Sequence, residues 1–203
     1  MRKKSETWLA EQRPPQMSKQ NSKFVHIVAI LPFFATIQSP FLSVSAPVSS
    51  TKAHLIALEE TAATSWKEEA RREREERAAK IDAFFGARDM PLAGTGRAMV
   101  AAAEENGLDW RLLPAIAVRE SSGGKQMCGA NPFGWASCRV HFGSIAEAID
   151  TVAYHLGGNH PKTERYYQGD TRDKLYHYNG TVIPTYADEI FTIMAMVEGE
   201  EAR

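Results

Sequence analysis

The stretch "SIAEAIDTVAYHLGG", residues 144–158, constrains the fold more than any other. Ser144 and Glu147 have the spacing of a capping box. Ile145, Ala148, Ile149, Val152, Ala153 and Leu156 recur at helical spacing and form one apolar stripe, and Gly157-Gly158 closes the helix. Such a helix is stable only when its stripe is covered, and the neighbouring segments are helical as well. "AGTGRAMVAAAEENG" predicts a helix ending at Asn106-Gly107. Asp109 is placed to cap a helix from Trp110 to about Glu120, with Pro114 near its first turn, where a missing N–H costs least. "TRDKLYHYNG" reads as a short helix ending at Asn179-Gly180. "TYADEIFTIMAMV" reads as a longer one, capped by Thr185, with Tyr186, Ile190, Ile193, Met194 and Val197 on one face. Strand signals are weak and leave room for one short hairpin over Phe133 to Phe142. The expected fold is mainly α, a helical domain over 81–198 followed by a tail over 199–203.

Two segments precede that domain. "SWKEEARREREERAAK" is dense in charge, with acids matching bases and no sustained apolar positions. Glu68 with Arg72, and Glu73 with Arg77, are spaced for i,i+4 pairing. Residues 51–80 therefore read as a long charged helix, a solvated spacer; the missing a/d positions argue against a coiled coil. Residues 1–50 run from a basic polar start through the apolar "FVHIVAILPFFATI" to a stretch of small residues, the order of a secretory signal. Fourteen helical residues span about 21 Å, short of the roughly 30 Å hydrocarbon core. A signal cleaved after Ala46 and an uncleaved membrane anchor through residues 24–46 both fit; Pro47 counts against the cleavage. Met17 is an alternative start to Met1. Either export reading puts the domain outside the cytoplasm.

The formal net charge of -1 gives no global field towards nucleic acid or acidic lipid. The two cysteines, Cys128 and Cys138, lie ten apart in one Gly/Pro/Asn-containing segment. In an exported chain that spacing suits a disulfide stapling a loop, whereas two thiols alone leave a tetrahedral metal site incomplete. There is no Gly-rich phosphate loop, His-Glu-x-x-His pair or Gly-x-Ser-x-Gly elbow, so no cofactor and no metal is read.

The most informative residue is Glu120. Leu113, Ile116 and Ala117 precede it by seven, four and three residues, so its carboxyl continues an apolar stripe while Arg119 takes the solvent face. It also falls at a helix C-terminus, the negative end of the macrodipole. Partial burial and that dipole both favour the protonated acid, the form that donates a proton to a leaving oxygen. Glycoside cleavage has that requirement. The bland alternative is a helix-terminal Glu turned to solvent. "SSGG" follows directly and reads as a flexible opening beside the acid.

In "AIAVRESSGGKQMCGANPFGW" the chain resembles the lysozyme-like superfamily of peptidoglycan-cleaving enzymes. Glu120, Ser121, Ser122 and Gly123 resemble the Glu-Ser-x-Gly turn bearing the catalytic acid of lytic transglycosylases and of bacterial endo-β-N-acetylglucosaminidases, the mannosyl-glycoprotein endo-β-N-acetylglucosaminidase-like group. "NPFGW", Asn131 to Trp135, resembles the Asn-x-Phe-Gly segment of the glucosaminidases; the Gly-Leu-Met-Gln run of the transglycosylases is absent. "YNG" (Tyr178 to Gly180) and "YADEI" (Tyr186 to Ile190) are similar to the Tyr motifs that close the cleft in both groups. The resemblance implies a lysozyme-like fold over 81–198 and a peptidoglycan glycan-strand hydrolase. It implies Glu120 as general acid, Tyr186 near the cleaved bond, and Ser121, Asn131, Phe133, Trp135, Tyr178 and Asn179 as substrate-binding residues. Phe133 and Trp135 fit plain core equally well, as do Tyr166, Tyr167 and Tyr176.

Asp188, Glu189 and Asp150 are the candidates for a second carboxylate; substrate assistance by an acetamido group is the alternative. His141, His155 and His160 match no motif and read as surface or helix residues. A lytic transglycosylase and a non-catalytic glycan-binding or structural module of a cell-wall, secretion or phage assembly are the competing functional readings.

Overall fold

The structure is a computed structural model and describes residues 48–201, those from 48 to 61 by backbone alone. The signal and the anchor through residues 24–46 lie outside the described residues. Among the described residues, no helix is long and apolar enough to cross a membrane.

The helices are α1 (Val48–Gly86), α2 (Gly96–Glu105), α3 (Leu112–Ser121), α4 (Ile145–Leu156), α5 (Thr171–Leu175) and α6 (Tyr186–Glu198). A π-helical turn, Tyr176–Gly180, directly follows α5. No strand occurs among the described residues, so the mainly α expectation holds at that level. The short hairpin over Phe133 to Phe142 does not form. That segment coils through a 3-10 turn at Trp135–Cys138, and the nearest pairing is an isolated bridge between Cys128 and Asn131.

The charged helix does two jobs. A boundary between two compact units falls inside α1, between Glu68 and Glu69. In the first unit Trp66 is 68% exposed, as befits a solvated helix. From Glu69 on, the helix belongs to the second unit. Arg74 and Arg77 pair with Glu104 of α2, and Arg97 of α2 pairs with Glu75. Ala78, Ile81, Phe84 and Phe85 are core residues. Gly96 lies so close to α1 that a Cβ there would meet the Ala78 carbonyl oxygen at 2.2 Å. Asp82 Oδ1 accepts the Gly94 and Gly96 N–H groups at 2.8 Å each, capping α2 from another helix. The end of the chain is anchored too: Glu198 pairs with Arg111 and Glu200 with Arg88.

The clearest predicted helix forms as α4, with the Ser144 hydroxyl accepting the Glu147 N–H; Glu147 reaches back one residue further than a capping box requires, to the Gly143 N–H. Ala148, Ile149, Val152, Ala153 and Leu156 are buried. α4 lies against α2, and α3 has its most extensive contact with α6.

The stripe expected on α3 needs correction. Leu112, Leu113, Pro114, Ala115, Ile116 and Ala117 are all buried, so this is a central helix covered all round. It reaches the surface only near its C-terminus, at Val118, Arg119 and Glu120. Glu120 therefore stands at the mouth of a buried helix and not on a one-sided apolar stripe. The "SSGG" segment is likewise no loose opening. Ser122, Gly123 and Gly124 take left-handed backbone at φ of 53°, 66° and 94°, closing the helix back on itself. A Cβ on Gly123 would meet Met90 Sδ at 2.4 Å, and the Gly123 carbonyl accepts the Leu92 N–H.

Candidate active site

Glu120, half-buried at the end of α3, meets Tyr186 from the first turn of α6. The Tyr186 hydroxyl donates to Glu120 Oε1 at 2.7 Å. These two residues are 66 apart in sequence, and the α3–α6 contact brings them together. Burial, then neighbouring Tyr178, then the negative charge of Glu120 push the Tyr186 phenol far above its ordinary range. The phenol is thus a fixed donor. The other oxygen, Oε2, faces the Gly134 backbone; a Cβ on Gly134 would stand 3.2 Å from it. Gly134 has φ of +60°, so glycine serves both the turn and the approach of the carboxyl.

Tyr178, in the π-helical turn, stacks on Tyr186 with ring centroids 6.0 Å apart and planes 12° apart. Its hydroxyl donates to the Phe133 carbonyl at 2.6 Å. Burial first, then Glu120, hold this phenol protonated as well. Trp135 continues the aromatic row, 5.8 Å from Tyr178 on one side and 4.9 Å from His155 on the other. Glu120, Tyr186, Tyr178 and Trp135 are thus linked by successive contacts.

The structure places the remaining expected substrate contacts largely inside the protein. Ser121 is buried; its hydroxyl lies 2.7 Å from the Pro132 carbonyl it donates to, and accepts the Gly124 N–H at 3.0 Å. It pins the acid-bearing turn to the 131–135 loop. Asn131 is buried too, donating to the Trp135 carbonyl and accepting the Trp135 N–H, which makes it the holder of Trp135. Phe133 is core at 1% exposure. Asn179 is half-buried and contributes a carbonyl that accepts the Val182 and Ile183 N–H groups. Cys128 and Cys138 form the expected disulfide, with Cα atoms 5.9 Å apart, closing the loop that carries Asn131 to Trp135.

Of the second-carboxylate candidates, Glu189 and Asp188 are engaged elsewhere. Glu189 accepts from Arg119 Nε and from the Thr185 hydroxyl. Asp188 pairs with Arg172 at 2.9 Å. Burial and the nearby Glu105 raise the Asp150 carboxyl, and Glu105 belongs to α2, not to the Glu120 site.

His155 was missed as a component of this region. It is fully buried, its Nδ1 lies 2.7 Å from the Thr163 hydroxyl, and its ring stacks on His160 at 4.2 Å. His155 Nε2 and Trp135 Nε1 are both buried without a protein partner. A signal for this was present: His155 falls seven residues after Ala148, on the stripe of α4. His160 is buried as well, so neither is a surface residue. Arg119, which the helical spacing puts on the solvent face, pairs with Glu189, and that pairing carries no signal in sequence.

No family model matches the chain, and neither a curated protein nor a solved structure matches it.

Proposed function

We propose that the chain is a peptidoglycan glycan-strand hydrolase that cleaves a β-1,4 bond between amino sugars, with Glu120 as the general acid. The observation that carries this reading is the 2.7 Å hydrogen bond from Tyr186 to Glu120, which commits one carboxyl oxygen and leaves the other for the proton. The sequence resemblance to the glucosaminidases supports it independently. Glu120 on Oε2 protonates the leaving glycosidic oxygen, and Tyr186 fixes the orientation of the carboxyl. Trp135 and the exposed Tyr176 and Tyr166 offer aromatic surface for pyranose faces. The engaged carboxylates of Asp188 and Glu189 favour assistance by the substrate's own acetamido group over a second protein carboxylate.

The engagement of Asp188 and Glu189 beside this one acid also favours a second reading, a lytic transglycosylase, in which a sugar hydroxyl attacks in place of water. The disulfide agrees with work outside the cytoplasm, whether the chain is secreted or anchored.

Mass spectrometry of fragments released from purified peptidoglycan by the full chain tests both. Hydrolysis yields reducing ends, and the transglycosylase yields anhydro ends lighter by one water. Glu120→Gln keeps the shape and the Tyr186 contact, and is expected to lower cleavage by at least 100-fold, a typical general-acid contribution, with an unchanged circular dichroism spectrum. Undiminished cleavage by this variant overturns the assignment. Binding of glycan without release of fragments by the parent chain points instead to a non-catalytic module.

A further inference from the structure

Arg119 and Glu120 are neighbours at the C-terminal end of α3, and both side chains turn towards the first turn of α6. The Arg119 guanidinium carbon lies 5.9 Å from the Tyr186 ring centroid, and Tyr186 holds the Glu120 carboxyl. The guanidinium is near enough to feel the Glu120 charge. It is bound through Nε to Glu189 Oε2, while Thr185 donates to Glu189 Oε1 at 2.6 Å. Hydrogen bonds from Thr185 and then Arg119 hold the Glu189 carboxyl below its ordinary range, so it is ionised at neutral pH. The titratable groups that interact with Glu120 are Arg119 on its own helix, Tyr186 from α6 and Tyr178 from the π-helical turn, with Glu189 reaching it through Arg119; the 131–135 loop presents uncharged Gly134.

We propose that Glu189 and Arg119 are positioning residues that form a charge clamp, in which Glu189 holds the Arg119 guanidinium and offsets part of its field at Glu120, keeping the proton-donating form of Glu120 available. This deepens the reading of Glu120 as the acid and rests on it. The clamp also accounts for an acidic residue in the first turn of α6 whose two oxygens are both bound within the protein. Glu189 is thus no second catalytic carboxylate: it sets the charge around the first.

Opposite-signed variants test the clamp in the full chain. Glu189→Gln leaves the positive charge uncancelled and favours ionised Glu120. Arg119→Gln removes that charge and favours the protonated form. Carbon-13 NMR titration of the Glu120 carboxyl is the primary readout, and the pH profile of peptidoglycan cleavage is the second. At low salt the titration midpoint is expected to move down in Glu189→Gln and up in Arg119→Gln, each by several tenths to about one pH unit. The double variant returns near the parent. Arg119→Lys, which retains the charge, keeps the parental midpoint, and about 1 M salt shrinks both single shifts. Midpoints that stay put, or that move in the same direction in both single variants, overturn the clamp. The NMR shifts occurring in a chain that cleaves nothing would uphold the clamp and discard the catalytic reading; cleavage with unmoved midpoints would do the reverse.

Discussion

His155 shows what one residue contributes against its own interests. Its ring is fully buried beside Trp135 and His160, and one ring nitrogen has no protein partner. Burial, and secondarily His160, depress its pKa from 6.5 to about 3. The folded protein therefore resists a proton that the unfolded chain accepts. Both states are uncharged here above pH 6.5, where the stability is complete. As pH falls below about 6.5 the unfolded state gains the proton alone, and stability drops by about 1.4 kcal/mol per pH unit until about pH 3. Urea unfolding at pH 7 and pH 5 should differ by about 2 kcal/mol from this residue. His155→Phe, which retains a buried ring, should abolish that difference; an equal drop in the variant assigns the pH dependence elsewhere. At the same scale, Glu120 owes its setting to Tyr186 and Gly134, one for the hydrogen bond and one for the room.

Among the elements, the 128–138 loop has the most to do with the site. Apart from an irregular 3-10 turn and one isolated bridge it has no regular structure of its own, and Ala136, Ser137 and Cys138 take left-handed backbone that non-glycine residues adopt at a cost. What holds it is the disulfide at its ends, the Asn131–Trp135 pair inside it, and the hydroxyls of Ser121 and Tyr178 bonded to its carbonyls. Replacing Cys128 and Cys138 together by Ser should lower the unfolding free energy by about 2–3 kcal/mol, the loop-closure value for a ring of this size. Hydrogen exchange at the Trp135 amide should accelerate in the same variant, since its acceptor Asn131 lies within the released loop. Unchanged exchange would show that the two hydroxyls alone suffice to hold the loop.

For the whole molecule, the decisive feature is that a charged helix becomes part of the core halfway along. Asp82 is the clearest joint, since one carboxylate oxygen caps α2 across the α1–α2 crossing. Asp82→Ala should cost about 1–2 kcal/mol, as loss of a helix cap does. Lys67→Ala, on the solvated part of the same helix, should stay within about 0.5 kcal/mol. Equal effects in thermal or urea unfolding would mean that α1 contributes alike along its length.

Sequence by itself determined the helices. Capping pairs, glycine stops and 3.6-residue periodicity are local signals, and α2, α4 and α6 lie where they point. It singled out Glu120 and the two cysteines, because an acid in an apolar run and paired thiols in one loop are visible without neighbours, while Tyr186 came from the resemblance to the glucosaminidases. Only the tertiary structure decided that α3 is buried all round, that "SSGG" is packed, and that Ser121 and Asn131 serve the protein's interior. It alone decided that Arg119 answers to Glu189. Each of these depends on what lies across from a residue. Such partners come from chain segments tens of residues away, which leave no periodic trace in the stretch they cover.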